Sequence, residues 1–202
     1  MNYKRKPVTK LSGNEVFVNT GGLRFKVSDL WGYAFSNLNS NILRGSVAEF
    51  LVEMALHGPE AAGIRNPWED YDVQTTAGKT IEVKSCSYLQ DWDQEKLSSV
   101  IFSGLKAGSV WPAAATPEQA AITDEKRYKA DIYVLALLHH QFTETLNILD
   151  LEQWSFYVLS RESLAEAANN GNSITLVRLQ RYSVQPVSFV QLKAAIEALQ
   201  AE

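Results

Sequence analysis

The chain has very little cysteine and no long apolar run. Cys86 is the only cysteine among 202 residues, so an internal disulfide and a zinc site built from cysteines are excluded. No run of about 18 apolar residues occurs, and the opening MNYKRKPVTK lacks the apolar segment of a secretory signal peptide. We therefore expect a cytoplasmic protein with no membrane partner.

The sequence also lacks an excess of positive charge, internal repeats and long linkers. Nineteen lysine and arginine residues stand against 23 aspartate and glutamate residues, a net charge of −4, so no global field attracts the chain to nucleic acid. Any polyanionic partner must meet a local basic patch, such as Lys126-Arg127-Lys129. At about 150 residues per domain, the length predicts a single domain over 1–202, with residues 1–12 as a flexible basic arm.

Apolar residues at three- and four-residue spacing predict the helices. Leu43, Val47, Phe50, Leu51 and Met54 recur in this way and predict a helix over 42–57, ended by Gly58-Pro59. Further helices are predicted over 28–37, over Arg161–Ala168 before Asn169-Asn170-Gly171, and from the N-cap Ser188 to about Gln200.

Alternating or continuous apolar runs predict the strands. EVFVN and LRFKV flank a Gly21-Gly22 turn, YDVQTTAGKTIEVKS has the pattern of a hairpin, and Asp131–Leu138 that of a strand buried on both faces. Shorter strands are predicted at 100–102, 148–149, 156–159 and 174–179. These elements together predict an α/β protein in which helices bracket a mixed sheet.

The hairpin carries the residues with the clearest chemical meaning. Strand alternation places Glu82 and Lys84 on one face and their neighbours Ile81 and Val83 on the other. If Ala77-Gly78-Lys79 is a three-residue turn, Asp72 lies opposite Lys84 and shares its face. A two-residue turn would send Asp72 to the other face, so a site here requires a turn of odd length.

A helix can supply a third acid to this cluster. Glu49 and Glu53 lie four residues apart on one helix face, and the small residues before Glu49 favour it because they permit close helix–sheet contact. Carboxylates about 4 Å apart repel each other by about 4 kcal/mol at an effective dielectric of 20, so a cation or a proton must offset this repulsion. Oxygen ligands suit Mg²⁺ or Mn²⁺, and with a lysine they suit metal-assisted phosphodiester hydrolysis.

These residues resemble the PD-(D/E)xK nucleases of the restriction-endonuclease-like superfamily. The resemblance covers roughly residues 42 to 86, through RGSVAEF, YDV and IEVKS, with Tyr71 in place of the proline. It implies an α/β/α sandwich with a central mixed sheet and a Mg²⁺-dependent nuclease centre. By the same resemblance, Asp72 and Glu82 are metal ligands, Glu49 binds metal directly or through water, and Lys84 positions water or phosphate.

Three hypotheses follow from the sequence. The first is a Mg²⁺-dependent endonuclease that cleaves DNA, of restriction, defence or repair type, with Mn²⁺ as a substitute metal. A homodimer is then expected because cutting a duplex takes two cuts. The second is an inactive protein of the same fold that binds DNA or a protein. The third is an unrelated α/β protein whose hairpin carries ordinary ion pairs.

Overall fold

The computed structural model describes residues 3, 6–66, 69–108 and 126–199, and the chain divides into two compact units, 1–38 and 39–202. In the smaller unit, residues 6–12 are exposed and adopt no regular structure. The two strands predicted around Gly21-Gly22 are reduced to one antiparallel bridge between Val16 and Lys26, followed by helix α1, Val27–Phe35. The single nuclease-like domain over 1–202 stays a prediction.

In its described residues, the larger unit contains two sheets and four further α-helices. Its strands are β1 Val73–Gln74, β2 Thr80–Ser87, β3 Ile101–Ser103, β4 Ile132–Leu138, β5 Trp154–Ser160 and β6 Ser173–Thr175. Its helices are α2 Asn41–Ala61, α3 Arg161–Ala167, α4 Leu176–Arg181 and α5 Phe189–Ala198. None of the helices in the described ranges has both the length and the apolar character that a membrane span requires.

The four-stranded sheet has the order β1-β2-β4-β5. β1 is antiparallel to β2, β2 is parallel to β4, and β4 is antiparallel to β5, so the sheet is mixed. β3 and β6 form a separate antiparallel pair. The predicted mixed α/β class is therefore confirmed at this level.

Apolar side chains cover both faces of the four-stranded sheet. On one face, Ala48 of α2 and Leu192 of α5 join the cluster that contains Ile81. On the other face, Phe102 of β3 and Leu164 of α3 join a second cluster with the β4 side chains that point to that side. Every residue of β4 is buried, as its continuous apolar run predicts. β4 is thus the central strand of the core.

Two predicted strands are wrong in part or entirely. Residues 148–149 form no strand, because the Ile148 carbonyl accepts a hydrogen bond from the Trp154 indole N–H at 3.0 Å while Leu149 is exposed. The strand predicted over 174–179 ends at Thr175, whose side chain accepts from the Arg178 N–H and caps α4. A hydroxyl at an N-cap position outweighs the β-like apolar run that follows it.

Candidate active site

The hairpin turn is one residue earlier than the sequence predicts. Val73 pairs with Ile81 and Gln74 with Thr80, while the Thr75 N–H donates to the Lys79 carbonyl at 2.9 Å. The turn is therefore residues 76–78, and Gly78 takes the left-handed conformation at φ 85°, which glycine adopts without strain. Its length is odd, as expected, but the predicted pairing of Asp72 with Lys84 is wrong. The ladder ends at the Val73–Ile81 pair, and Asp72 lies just before it.

Asp72 is hydrogen-bonded to the backbone of β2 at two points, and its pKa is raised. Its own N–H donates to the Ile81 carbonyl at 3.0 Å, and its Oδ2 accepts the Val83 N–H at 2.8 Å. Burial, the charge of Glu82 and the charge of Glu49 raise the pKa of Asp72 to about 7, against the opposing effects of the Val83 N–H and the Lys84 ammonium. The charges of Glu49, Glu82 and Lys84 thus all act on Asp72.

Glu82 and Lys84 project from the same face of β2 and form an ion pair. Their side chains are only 21% and 24% exposed, respectively, while Ile81 and Val83 enter the opposite core cluster. This is the alternation that the sequence predicts. The chain that leaves β3 passes beside Lys84, since a Cβ built on Gly104 would stand 3.9 Å from the Lys84 Cε.

Glu49 reaches the group from helix α2. The Arg65 guanidinium donates two hydrogen bonds to it, one of them from Nη2 to Glu49 Oε1 at 3.0 Å. Glu53, the other candidate on this face, accepts the Gly63 N–H at 2.9 Å and lies beside His57. Because Glu49 is among the charges that raise the pKa of Asp72, the structure favours Glu49 over Glu53 as the helix acid.

The donor set suits a hard divalent cation. Three carboxylates supply oxygen ligands only, and the raised pKa of Asp72 indicates negative charge that a nearby cation would offset. In the described ranges, however, no three His, Cys, Asp or Glu side chains are arranged as a ligand set. Glu82 and Glu49 are hydrogen-bonded to Lys84 and Arg65 instead, so a metal would compete with both ammonium and guanidinium.

Arg65 is the site residue that sequence reasoning missed. It belongs to the segment that follows α2 and leads into the hairpin, and its pKa is raised chiefly by the hydrogen bond to Glu49. The short segment between α2 and the hairpin has to pass close to both Glu49 and Asp72. A basic residue in this segment, such as Arg65, is therefore a candidate partner for these acids, and this is the signal that could have identified it.

Two arginines near the site have different surroundings. Arg44 of α2 is only 4% exposed. Its guanidinium donates to the Asn39 carbonyl at 2.9 Å and to Gln90 Oε1 at 3.2 Å, so burial removes it from any phosphate-binding surface. Arg127, by contrast, is exposed and lines a cavity with Lys129.

Comparison with known proteins gives no family assignment. No protein-family model matches the chain, and no curated protein matches its sequence at a significant level. The functional inference therefore depends on the residues of the site and their geometry.

Proposed function

We propose that this protein is a Mg²⁺-dependent endonuclease that hydrolyses DNA phosphodiester bonds, built on a restriction-endonuclease-like α/β/α fold. The observation that carries the proposal is that the charges of Glu49, Glu82 and Lys84 all act on Asp72, whose pKa is raised to about 7. A surface hairpin with ordinary ion pairs has no reason to half-bury an aspartate near two glutamates, because this arrangement is unfavourable unless a cation or a proton offsets the charge.

Each of the four residues has a distinct role in this proposal. Asp72 and Glu82 hold the cation, and Glu49 binds it directly or through water. When bound, Mg²⁺ neutralises charge on the phosphate and makes a coordinated water more acidic. Lys84, which is paired with Glu82 in the structure, would orient the attacking water or hold a phosphate oxygen. The hydrogen bond from the Val83 N–H keeps the Asp72 carboxylate in place for this task.

The remaining parts of the proposal concern the metal and the assembly. Mn²⁺ substitutes for Mg²⁺, because both prefer oxygen ligands. DNA is the partner, and a homodimer provides the two centres that cutting a duplex takes. A cytoplasmic location fits an enzyme of restriction, defence or repair type.

A cleavage assay tests the proposed activity. Circular, linear and single-stranded DNA, with an RNA arm, are incubated with Mg²⁺, Mn²⁺ or EDTA. We expect metal-dependent cleavage that falls at least about 100-fold in Asp72→Asn and Lys84→Ala, the lower range for loss of a proton-transfer group. Glu166→Gln, which removes an exposed acid on α3, is the matched control. Full metal-dependent cleavage by both site variants would refute the assignment.

One observation favours an inactive protein of the same fold that binds DNA or a protein. Lys84 and Arg65 already neutralise Glu82 and Glu49, which is what a structural site without metal requires. This second candidate predicts DNA or protein binding that is equal in EDTA and Mg²⁺, with no cleavage of any nucleic acid. Metal-dependent cutting that Lys84→Ala abolishes would exclude it.

A further inference from the structure

A cavity of about 360 Å³ opens beside the hairpin, on the segment that leads into β4. Three cationic side chains line it, from Arg127, Lys129 and Arg161, against one acidic side chain, from Asp70. This local excess of positive charge contrasts with the net charge of −4 for the whole chain. A concave cationic site on an acidic protein concentrates anions locally.

The two arginines are held differently, and each has guanidinium N–H donors without a partner among the described residues. Arg161 Nε donates to the Ala130 carbonyl at 2.8 Å, and its Nη2 donates to Asp131 Oδ1 at 2.6 Å. Nη1 of Arg161 has no partner within the described ranges. The backbone of Arg127 is fixed by two hydrogen bonds with Ala107, at 3.1 and 3.2 Å, while its guanidinium has no hydrogen-bond or ion-pair partner among the residues that the structure describes.

The acidic residues around the cavity pair with two of its three cations. Lys129 Nζ is 3.0 Å from Asp70 Oδ1, so that pair is close to neutral. Asp131 is shared between Arg161 and Thr80, whose N–H and hydroxyl donate to Asp131 Oδ2 at 3.0 and 2.8 Å. Among the residues that the structure describes, Arg127 therefore carries the uncompensated charge, and the pre-oriented Arg161 lines the same cavity. Paired guanidinium groups bind phosphate oxygens well because several N–H donors lie in fixed planes.

The cavity is next to the candidate active site. Thr80, which lines it, shares its strand face with Glu82 two residues later, a separation of about 7 Å along a strand. Tyr71, which also lines it, immediately precedes Asp72. Tyr133, the β4 partner of Glu82, accepts the Lys129 N–H on its hydroxyl at 3.0 Å. The distance between the acidic group and the cavity is therefore about that between neighbouring phosphates of a nucleic-acid strand.

We propose that this cavity binds a backbone phosphate of a nucleic-acid strand, the phosphate that neighbours the scissile one, through Arg127 and Arg161. The ring of Tyr71 at the rim offers a surface for the attached sugar or base. That the bound phosphate lies next to a scissile bond rests on the proposed nuclease function. The phosphate binding itself does not, because it uses no metal.

Anisotropy measurements in EDTA test this site without any cleavage. The probe is a fluorescein-labelled eight-nucleotide single-stranded DNA, titrated with the full chain at several salt concentrations. We expect Arg127→Ala to weaken binding about five- to tenfold at low salt and to reduce the salt slope by roughly 0.7, the value of one phosphate contact on a single strand. Arg127→Glu is expected to weaken binding further.

A matched control separates this site from general charge. Arg181→Ala removes the same charge from the exposed end of α4 and is expected to change affinity less than twofold. Circular-dichroism melts confirm that all variants fold. Equal binding by wild type, Arg127→Ala and Arg127→Glu overturns the proposal, as does the absence of any binding by wild type at low salt.

Inorganic phosphate distinguishes a strand site from a free-phosphate site. Millimolar phosphate is expected to compete only weakly with the oligonucleotide. If phosphate instead binds in an Arg127-dependent way while oligonucleotide affinity is unchanged by Arg127→Ala, the strand assignment is wrong. If strand binding depends on Arg127 but no cleavage occurs with any metal, the phosphate site stands and the nuclease proposal fails.

Discussion

The Val83 N–H donates a hydrogen bond to the Asp72 carboxylate at 2.8 Å, and the charge of Glu82, the residue before Val83, acts on the same carboxylate. One strand thus supplies both a repelling charge and a stabilising N–H donor to Asp72. Burial and repulsion prevail, because the pKa of Asp72 is raised to about 7. A carboxyl with a pKa near neutrality gives several testable consequences.

Replacement of Asp72 by asparagine should stabilise the protein at alkaline pH. The pKa of Asp72 is about 7 in the folded protein and 3.8 ordinarily. Between pH 3.8 and pH 7 folding is therefore coupled to uptake of a proton, so the free energy of unfolding falls as pH rises through this range. Asp72→Asn removes this penalty and keeps an oxygen for the Val83 N–H. We expect a gain of about 1–3 kcal/mol at pH 8, given about 1.4 kcal/mol per pKa unit, and almost none at pH 4. Urea melts at both pH values measure it, and an equal effect at both would contradict it.

Divalent metal should stabilise wild type more than it stabilises the site variants. At ten times its dissociation constant, a ligand specific to the folded state adds about 1.4 kcal/mol, so millimolar Mn²⁺ is expected to raise the melting temperature at pH 8 by a few degrees. Asp72→Asn and Glu82→Gln should lose most of this increase, while Asp93→Asn, at an exposed position, should keep it. A shift of the same size in all four proteins would mean that the metal binds elsewhere.

Arg65→Gln should tighten metal binding. The Arg65 side chain is 53% exposed, so its ion pair with Glu49 is worth no more than about 1 kcal/mol, yet a metal must displace it. Removal of this competitor is expected to lower the Mn²⁺ dissociation constant about two- to fivefold by calorimetry, whereas Glu49→Gln should raise it. If Arg65→Gln leaves the affinity unchanged, Glu49 does not take part in metal binding.

Asp131 should show the opposite pH dependence to Asp72. Burial opposes its ionisation, but hydrogen bonds from Thr80 and the charge of Arg161 hold the pKa of Asp131 below its ordinary value. Its stabilising contribution is therefore present above pH 4 and is lost as pH falls through the lowered pKa. Asp131→Asn is expected to cost about 1.5–2 kcal/mol at pH 7, the low end of the range for hydrogen bonds to a charged group, and less at pH 3. A loss that does not shrink in acid would contradict this assignment.

Local patterns predicted most of the individual elements. The helix predicted over 42–57 begins after Ser40, whose hydroxyl caps it, and is interrupted at Gly58, where the Gly58-Pro59 pair predicts its end. The alternation in β2 correctly assigned Glu82 and Lys84 to one face. These features depend on periodicity and helix caps, which are determined by residues close together in the sequence.

Features that depend on contacts between residues far apart in the sequence could not be predicted from local patterns. The hairpin register differs by two residues from the prediction, because a three-residue turn could begin at residue 76 or at residue 77 and has the same odd length in both cases. Arg161 joins Asp131 only because β5 pairs with β4 in antiparallel register. No pattern around Arg161 indicates that pairing, so its place beside the candidate site could not be inferred from sequence.

The parallel pairing of β2 with β4 has a consequence for how the site forms. Glu82 and Lys84 are supported by Tyr133 and Leu135, their register partners about fifty positions downstream. Closing so large a loop is entropically costly and slow, and an isolated two-stranded hairpin is only marginally stable. The acidic group should therefore acquire its geometry late in folding. Truncation before β4 should yield a chain in which the aspartate titrates like one in a short peptide.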